Sequence, residues 1–205
     1  CSPTITNCTF QENEAGGNGG AFFNARDSHP IITNTLFAKN KAGAKGGGFY
    51  NKAGATPSSP IFTNVTIANN SAVQSGGGAF DDGLGASKLR NSIVYGNIAP
   101  AFEDIEAPIS SVATAVFNDI IGNELYEDGF TAPTTFTALV FLDSANNDYR
   151  LAATSPAIDF GDSSFYATSA TPNLSAITTD IRGAARIMGN NVDVGAFEKC
   201  NFSVT

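Results

Sequence analysis

A short phrase returns along the first half of the chain, and this recurrence restricts the fold more than any other property of the sequence. Ser2-Pro3-Thr4-Ile5-Thr6-Asn7-Cys8-Thr9-Phe10 reappears as His29-Pro30-Ile31-Ile32-Thr33-Asn34-Thr35-Leu36-Phe37 and as Ser59-Pro60-Ile61-Phe62-Thr63-Asn64-Val65-Thr66-Ile67. An eroded copy runs from Leu89 to Asn97. The first three copies lead to glycine patches, Gly19-Gly20-Ala21-Phe22, Gly46-Gly47-Gly48-Phe49 and Gly77-Gly78-Ala79-Phe80, followed two residues later by Asn24, Asn51 and Asp82. Asn7, Asn34, Asn64 and Asn91 form one column with spacings of 27, 30 and 27, and Asn13, Asn40, Asn70 and Asn97 form a second with the same spacings. A period of this length, made of short β-prone runs without helical periodicity, indicates a repeat in which each unit buries its apolar face against the next. The expected fold is all-β, a right-handed parallel β-helix.

In such a stack, coils lie about 4.8 Å apart and equivalent positions sit on top of one another. Ile5, Ile32, Phe62 and Leu89 then make one interior column, and Phe10, Phe37, Ile67 and Val94 another. Cys8 shares the parity of Phe10 and aligns with Thr35, Val65 and Ser92, so it belongs in a small interior slot. Asparagine suits a column because its amide both donates and accepts, and because it tolerates left-handed backbone bends. The glycines supply the sharp bend, with positive φ, between two faces of a coil.

The coils are expected over residues 1–151, with repeats at about 2–27, 28–57, 58–85 and 86–107 and degenerate coils after them, five or six in all. The later strands are read at Val116–Asn123, Leu139–Asp143 and Asp148–Leu151. Residues 152–198 break the repeat and are expected to cap its C-terminal end, with 199–205 a tail toward a sorting or anchor segment. Low charge density, with 21 glycines, favours turn-rich β structure, and a net charge of -8 disfavours nucleic acid and other polyanions. No apolar run is long enough to span a membrane as a helix, so no insertion by this segment is expected.

The paired Gly-Gly-Ala-Phe and Phe-x-x-Asn motifs, the latter at Phe10–Asn13 and Phe37–Asn40, resemble the repeats of chlamydial-type polymorphic outer-membrane proteins, whose β-helical passengers are adhesins. The later stretch Ser155-Pro156-Ala157-Ile158-Asp159-Phe160-Gly161, then Asp180-Ile181-Arg182-Gly183 with Arg186, then Val192-Asp193-Val194-Gly195-Ala196-Phe197-Glu198, is similar to the C-terminal part of choice-of-anchor Q β-helix proteins of bacteria. These resemblances imply export and a β-helix, and no single activity, because one scaffold carries adhesins, lyases and stalks.

Catalytic chemistry is hard to assemble from these residues. A polysaccharide lyase needs a base beside a uronate carboxylate and a cation to neutralise it. Arg26 and Arg90 fall at different phases of the coil, while Arg182 and Arg186 sit among Asp180, Asp193 and Glu198, where an ion-pair lattice fixing the cap is the simpler reading. A glycosidase needs two facing carboxylates. The available groups, Asp81 with Asp82, Glu103 with Asp104 and Glu106, and Asp159 with Asp162, lie in turn-like stretches, and Asp159 and Asp162 are candidates for weak Ca²⁺ ligation. The single histidine, His29, stands where Ser2 and Ser59 stand in neighbouring coils and reads as a corner residue. Three cysteines without CxxC spacing argue against a zinc site, so no metal centre or other cofactor is expected.

The functional expectation is a non-catalytic, secreted or surface-displayed module, adhesin-like or a structural stalk, meeting an extracellular glycan or protein surface or itself through coil ends. The alternatives are a carbohydrate-active β-helix enzyme or glycan-binding module, and a self-assembling fibre component. Phe37→Ala should lower the unfolding free energy by about 3–5 kcal/mol through an internal cavity, and Phe10, Phe37 and Ile67 on a solvent-facing side would refute the register.

Overall fold

The computed structural model describes residues 1–52, 54, 58–82, 87–101, 105–106, 119–121, 134–135 and 140–200. The first coil is β1 (Thr4–Thr6), β2 (Thr9–Gln11), β3 (Glu14–Ala15) and β4 (Phe22–Ala25). The second is β5 (Ile31–Ala38), β6 (Lys41–Ala42) and β7 (Phe49–Lys52), and the third is β8 (Ile61–Ala68), β9 (Ser71–Ala72) and β10 (Ala79–Asp82). A fourth begins with β11 (Lys88–Arg90), β12 (Ser92–Tyr95) and β13 (Ile105–Glu106). Equivalent strands pair in parallel to give three sheets, so the chain is an all-β solenoid. The expected columns form: Ile5 pairs with Ile32, Ile32 with Phe62 and Phe62 with Leu89, while Phe10 pairs with Phe37, Phe37 with Ile67 and Ile67 with Val94.

Left-handed residues turn the chain into coils. Asn7, Asn34, Asn64 and Asn91 have φ of 54°, 49°, 52° and 45°. One such residue inside a long strand resets the alternation, so Ile32, Thr35 and Phe37 are all buried on the strand containing Asn34. A second left-handed column follows at Glu12, Lys39, Asn69 and Gly96, whose mixed residue types hid it in the sequence. A third is Gly19, Gly46 and Gly76, where a Cβ would meet the carbonyl oxygen three residues ahead at 2.6, 2.3 and 2.4 Å.

That third column corrects the register of one unit. The glycine patch of the third coil starts at Gly76, so Ala79 pairs with Phe49, Phe80 with Tyr50, and Asp81, not Asp82, stands over Asn51. Packing explains the shift. Ala79 leaves room in the interior where Phe22 and Phe49 stand below it, and Phe62, replacing the isoleucine of the coil below, stacks on Phe49 at 4.4 Å. Along the neighbouring column, Phe10 and Phe37 stack at 4.9 Å with their planes 3° apart. Such aromatic pairs add about 0.5–1.5 kcal/mol beyond their buried area.

The Phe-x-x-Asn motif has a structural reason. Asn40 and Asn70 each donate through Nδ2 to the carbonyl of Phe10 and Phe37 in the preceding coil, and Asn97 donates likewise to Ile67. The Oδ1 of Asn40, Asn70 and Asn97 accepts both the backbone amide and the Nδ2 of Asn13, Asn40 and Asn70. Each amide therefore ties two coils at a corner without a regular ladder.

The described residues of the second half pair differently from the first three coils. Further coils do not follow among the described residues: β14 (Asp119–Ile121) pairs antiparallel with β12, β15 (Thr134–Thr135) pairs antiparallel with β14, and β16 (Phe141–Asp143) and β17 (Asp148–Leu151) form an antiparallel pair of their own. Most of the strand read at Val116–Asn123 lies outside the described residues. Nor does the stretch after residue 152 close the column. It lies along the outer face of the first sheet, bonding to Asn34 in the second coil, Asn64 in the third and Asn91 in the fourth. The physical reason is apolar surface on the wrong side of the sheet. Leu36, Ala38, Ala68 and Ile93 point away from the solenoid interior and are buried against Val140, Phe141, Tyr149, Leu151, Ala157 and Val194.

Replacing Asn70 by Ala should show what the corner ladder contributes. It strips partners from the Phe37 carbonyl and from the amide of Asn40, both buried, and each orphaned group costs about 1–3 kcal/mol. The expected loss is therefore about 2–5 kcal/mol in chemical denaturation, against a smaller loss for Asn13→Ala, whose side chain is exposed.

Candidate functional site

The largest concentration of buried ionisable groups lies where the C-terminal strap meets the first sheet. Three motif segments converge there. From the first, Ala157 accepts the amide of Val194 through its carbonyl, and the Gly161 amide donates to the Val192 carbonyl. From the second, Asp180 accepts the amides of Arg182 and Ala184 on one oxygen and that of Glu198 on the other. From the third, Gly195, at φ 93°, presses so closely on the sheet that a Cβ would meet Ile93 at 2.7 Å and Thr66 at 2.8 Å. The amide of Ala196 then donates to Thr66 Oγ1.

Arg186 is the hub. It is 1% exposed and donates to Asn34 Oδ1, to the carbonyls of Gly195 and Asp193, and to Glu198 Oε2 at 2.5 Å. Asn64 donates to the same two carbonyls, and its Oδ1 accepts from the hydroxyl of Tyr166. Asn91 accepts the amide of Asp162 and donates to its carbonyl. The column Asn7, Asn34, Asn64 and Asn91 thus bends the strands and, at its last three members, grips the strap. Its one direct bond between coils runs from Asn91 to Asn64 at 3.4 Å.

Of the residues expected to form ion pairs, Arg182 meets Asp180 at 3.4 Å. Arg186 pairs with Glu198, and Asp193 instead accepts the backbone amides of Asp159 and Lys199. Asp193 is corrected from a salt-bridge partner to an acceptor of backbone amides, because the turn around it presents N–H groups. Burial pushes the Glu198 carboxyl up to about 7, with Arg186 opposing the shift and Asp193 adding to it. Burial likewise raises Asp193, and lifts Tyr166 to about 12.

Asp159 and Asp162 serve separate turns. Asp159 has φ 55° and accepts the amide of Asn191 on Oδ1, whereas Asp162 caps the short 3₁₀ helix Ser163–Tyr166 by accepting the amide of Ser164. Among the described residues no group of three or more His, Cys, Asp or Glu side chains comes together as a metal site would require. Glu103 and Asp104 lie outside the described residues. His29 takes the place of serine in a corner chain: its amide donates to Ser2 Oγ and its Nδ1 accepts the amide of Ser59.

A second polar cluster sits inside the solenoid, and the slipped alignment concealed it. Asn24 donates to Asn51 Oδ1 and Asn51 to Asp81 Oδ1, while both asparagines also bond the carbonyls of Ser28 and Ser58. Asp81 is 2% exposed, accepts from Ser87, and is raised by burial. On the outer side of the same strands, Phe23, Tyr50 and Phe80 stack at 5.1 and 5.2 Å. Lys45 lies 4.1 Å over the Phe80 ring, and the Tyr50 hydroxyl donates to Asp82.

The family model of the Chlamydia polymorphic membrane protein repeat matches residues 7–25. That span holds the Phe10–Asn13 corner, the left-handed Gly19 and the start of the aromatic stack. No curated protein and no solved structure matches the chain.

Arg186→Met offers the direct test of the hub. The change leaves Glu198 Oε2 and Asn34 Oδ1 without the Arg186 donor, although Glu198 Oε1 keeps the Asp193 amide, and breaking a buried pair from one side costs about 3–5 kcal/mol. Denaturant unfolding should show that loss, and limited proteolysis should cut first within residues 155–198.

Proposed function

We propose that this chain is a non-catalytic β-solenoid module that is secreted or displayed on a bacterial surface, acting as an adhesin-like or stalk segment. The repeat of the polymorphic membrane proteins, seated on the first coil, carries this reading. The C-terminal motifs similar to those of choice-of-anchor Q proteins favour an exported protein with an anchoring segment. The use of the ionisable groups supports the same reading. Arg186, Glu198, Asp180 and Asp193 are at most 3% exposed and bond to the strap, the sheet and one another, where a glycan-cleaving site would present them to solvent.

The chain should release neither unsaturated nor reducing ends from pectate, alginate or neutral glycans. Turnover that disappears on replacing the partly exposed Arg182 with Gln would overturn the non-catalytic reading. Protease shaving of intact cells should remove the protein, and full protection from shaving would remove the surface assignment.

A further inference from the structure

The seam between strap and sheet holds more buried negative than positive charge. Asp180, Asp193 and Glu198 are at most 3% exposed, and the cations facing them among the described residues are Arg186, at 1%, and Arg182, whose side chain is 35% exposed. Glu198 sits at the centre of this set. Its Oε2 accepts from Arg186 and its Oε1 from the Asp193 amide, its own amide donates to Asp180, and its carbonyl accepts from Arg182. Tyr166 faces both Arg186 and Glu198 and donates its hydroxyl to Asn64, while the strands beneath offer Asn34, Asn64 and Thr66, which carry no charge. At the margin, Asp159 and Lys199 are partly exposed and add one charge of each sign, the Cys200 thiol accepts from Arg182, and Arg150 is engaged by Asp148. Fully ionised, the buried set has three carboxylates for two guanidiniums, and one bound proton balances it.

Charge balance and burial act in the same direction. A carboxylate taken out of water without a full countercharge is costly, and a second carboxylate beside it makes it costlier. Burial accordingly lifts the Glu198 carboxyl from its ordinary 4.5 to about 7, with Arg186 opposing and Asp193 adding, and burial raises Asp193 as well. A carboxyl raised on folding stabilises the closed strap fully below 4.5, and that contribution is lost as pH rises through about 7. The strap can respond alone. The solenoid core, built on Ile32, Phe37, Phe49, Phe62, Val65 and Ile67, is separate from the cluster in which Val140, Phe141, Ala157 and Val194 cover Leu36, Ala38, Ala68 and Ile93. Opening of such a cover is a local event that leaves the coils paired.

We propose that the seam is a proton-held latch: one proton held between Glu198 and Asp193 clamps the strap on the first sheet, and its loss as pH rises past neutrality loosens the strap while the coils stay folded. Hydrogen exchange of the purified chain, corrected for intrinsic amide rates, should show the opening constant of the Arg186, Val194 and Gly195 amides growing at least about tenfold from about pH 5 to about pH 8, with no such rise at Ile61 and Ser71 in the coils. The ¹³C shift of the Glu198 side-chain carboxyl should titrate near neutrality. Glu198→Gln, which carries no charge at any pH, should hold the strap closed at the alkaline end and flatten the profile, whereas His29→Gln, removing the one histidine of the chain, should leave it unchanged. Should the glutamine variant at 198 fail to fold, the carboxyl titration and the parent profile decide. An opening constant equal at the two pH values, a Glu198 carboxyl that titrates in the ordinary carboxylate range, or a rise that survives Glu198→Gln or vanishes with His29→Gln would overturn the proposal.

Discussion

The coil-to-coil register is the constraint on which the rest of this structure depends. Once Asn13, Asn40, Asn70 and Asn97 lock their amides to one another and to the carbonyl of the coil below, no coil can slip by a residue without orphaning several buried groups. The apolar columns follow from this register rather than set it. Aromatic and aliphatic side chains exchange freely within a column, as Phe37 under Ile67 and Ile32 under Phe62 show, whereas the corner asparagine does not vary across the four coils.

What could be read from the sequence divides along the same line. Wherever identical chemistry must stack, the period revealed it, so both asparagine columns and both interior columns were legible. The register of the third coil was not, because consecutive glycines precede Ala79 and Phe80, and aligning on the aromatic placed Phe80 over Phe49. Phe80 belongs to the outer stack with Tyr50 and Phe23, and residue type alone does not separate an inner aromatic from an outer one. Only the positive φ of Gly76 settles it.

The strap was missed for another reason. An aperiodic segment carries no signal of where it packs, and its motifs imply only that it leaves the repeat. The evidence lay in the strands beneath. A sheet with one face in a core and the other in water alternates apolar with polar residues, yet Leu36, Ala38, Ala68 and Ile93 put apolar groups on the outer positions of three successive coils. Such a face needs a cover, and residues 140–198 provide it.

The cover in turn explains why one asparagine column behaves unlike the other. Asn13, Asn40, Asn70 and Asn97 bond one another and, at the last three, the carbonyls of Phe10, Phe37 and Ile67, all within the corner. Asn34, Asn64 and Asn91 project from a bend on the covered face, where a buried amide must find partners outside its own column. Those partners are Thr179, Arg186, Tyr166, the carbonyls of Asp193 and Gly195, and Asp162, spread over the whole strap. The buried charges of the strap thus originate in the repeat beneath it: Asn34 presents a carbonyl oxygen that needs a donor, Arg186 supplies one, and Glu198 balances the charge that Arg186 brings. The charged residues expected to fix a cap form, in the fold, the seam between a periodic and an aperiodic half of one chain.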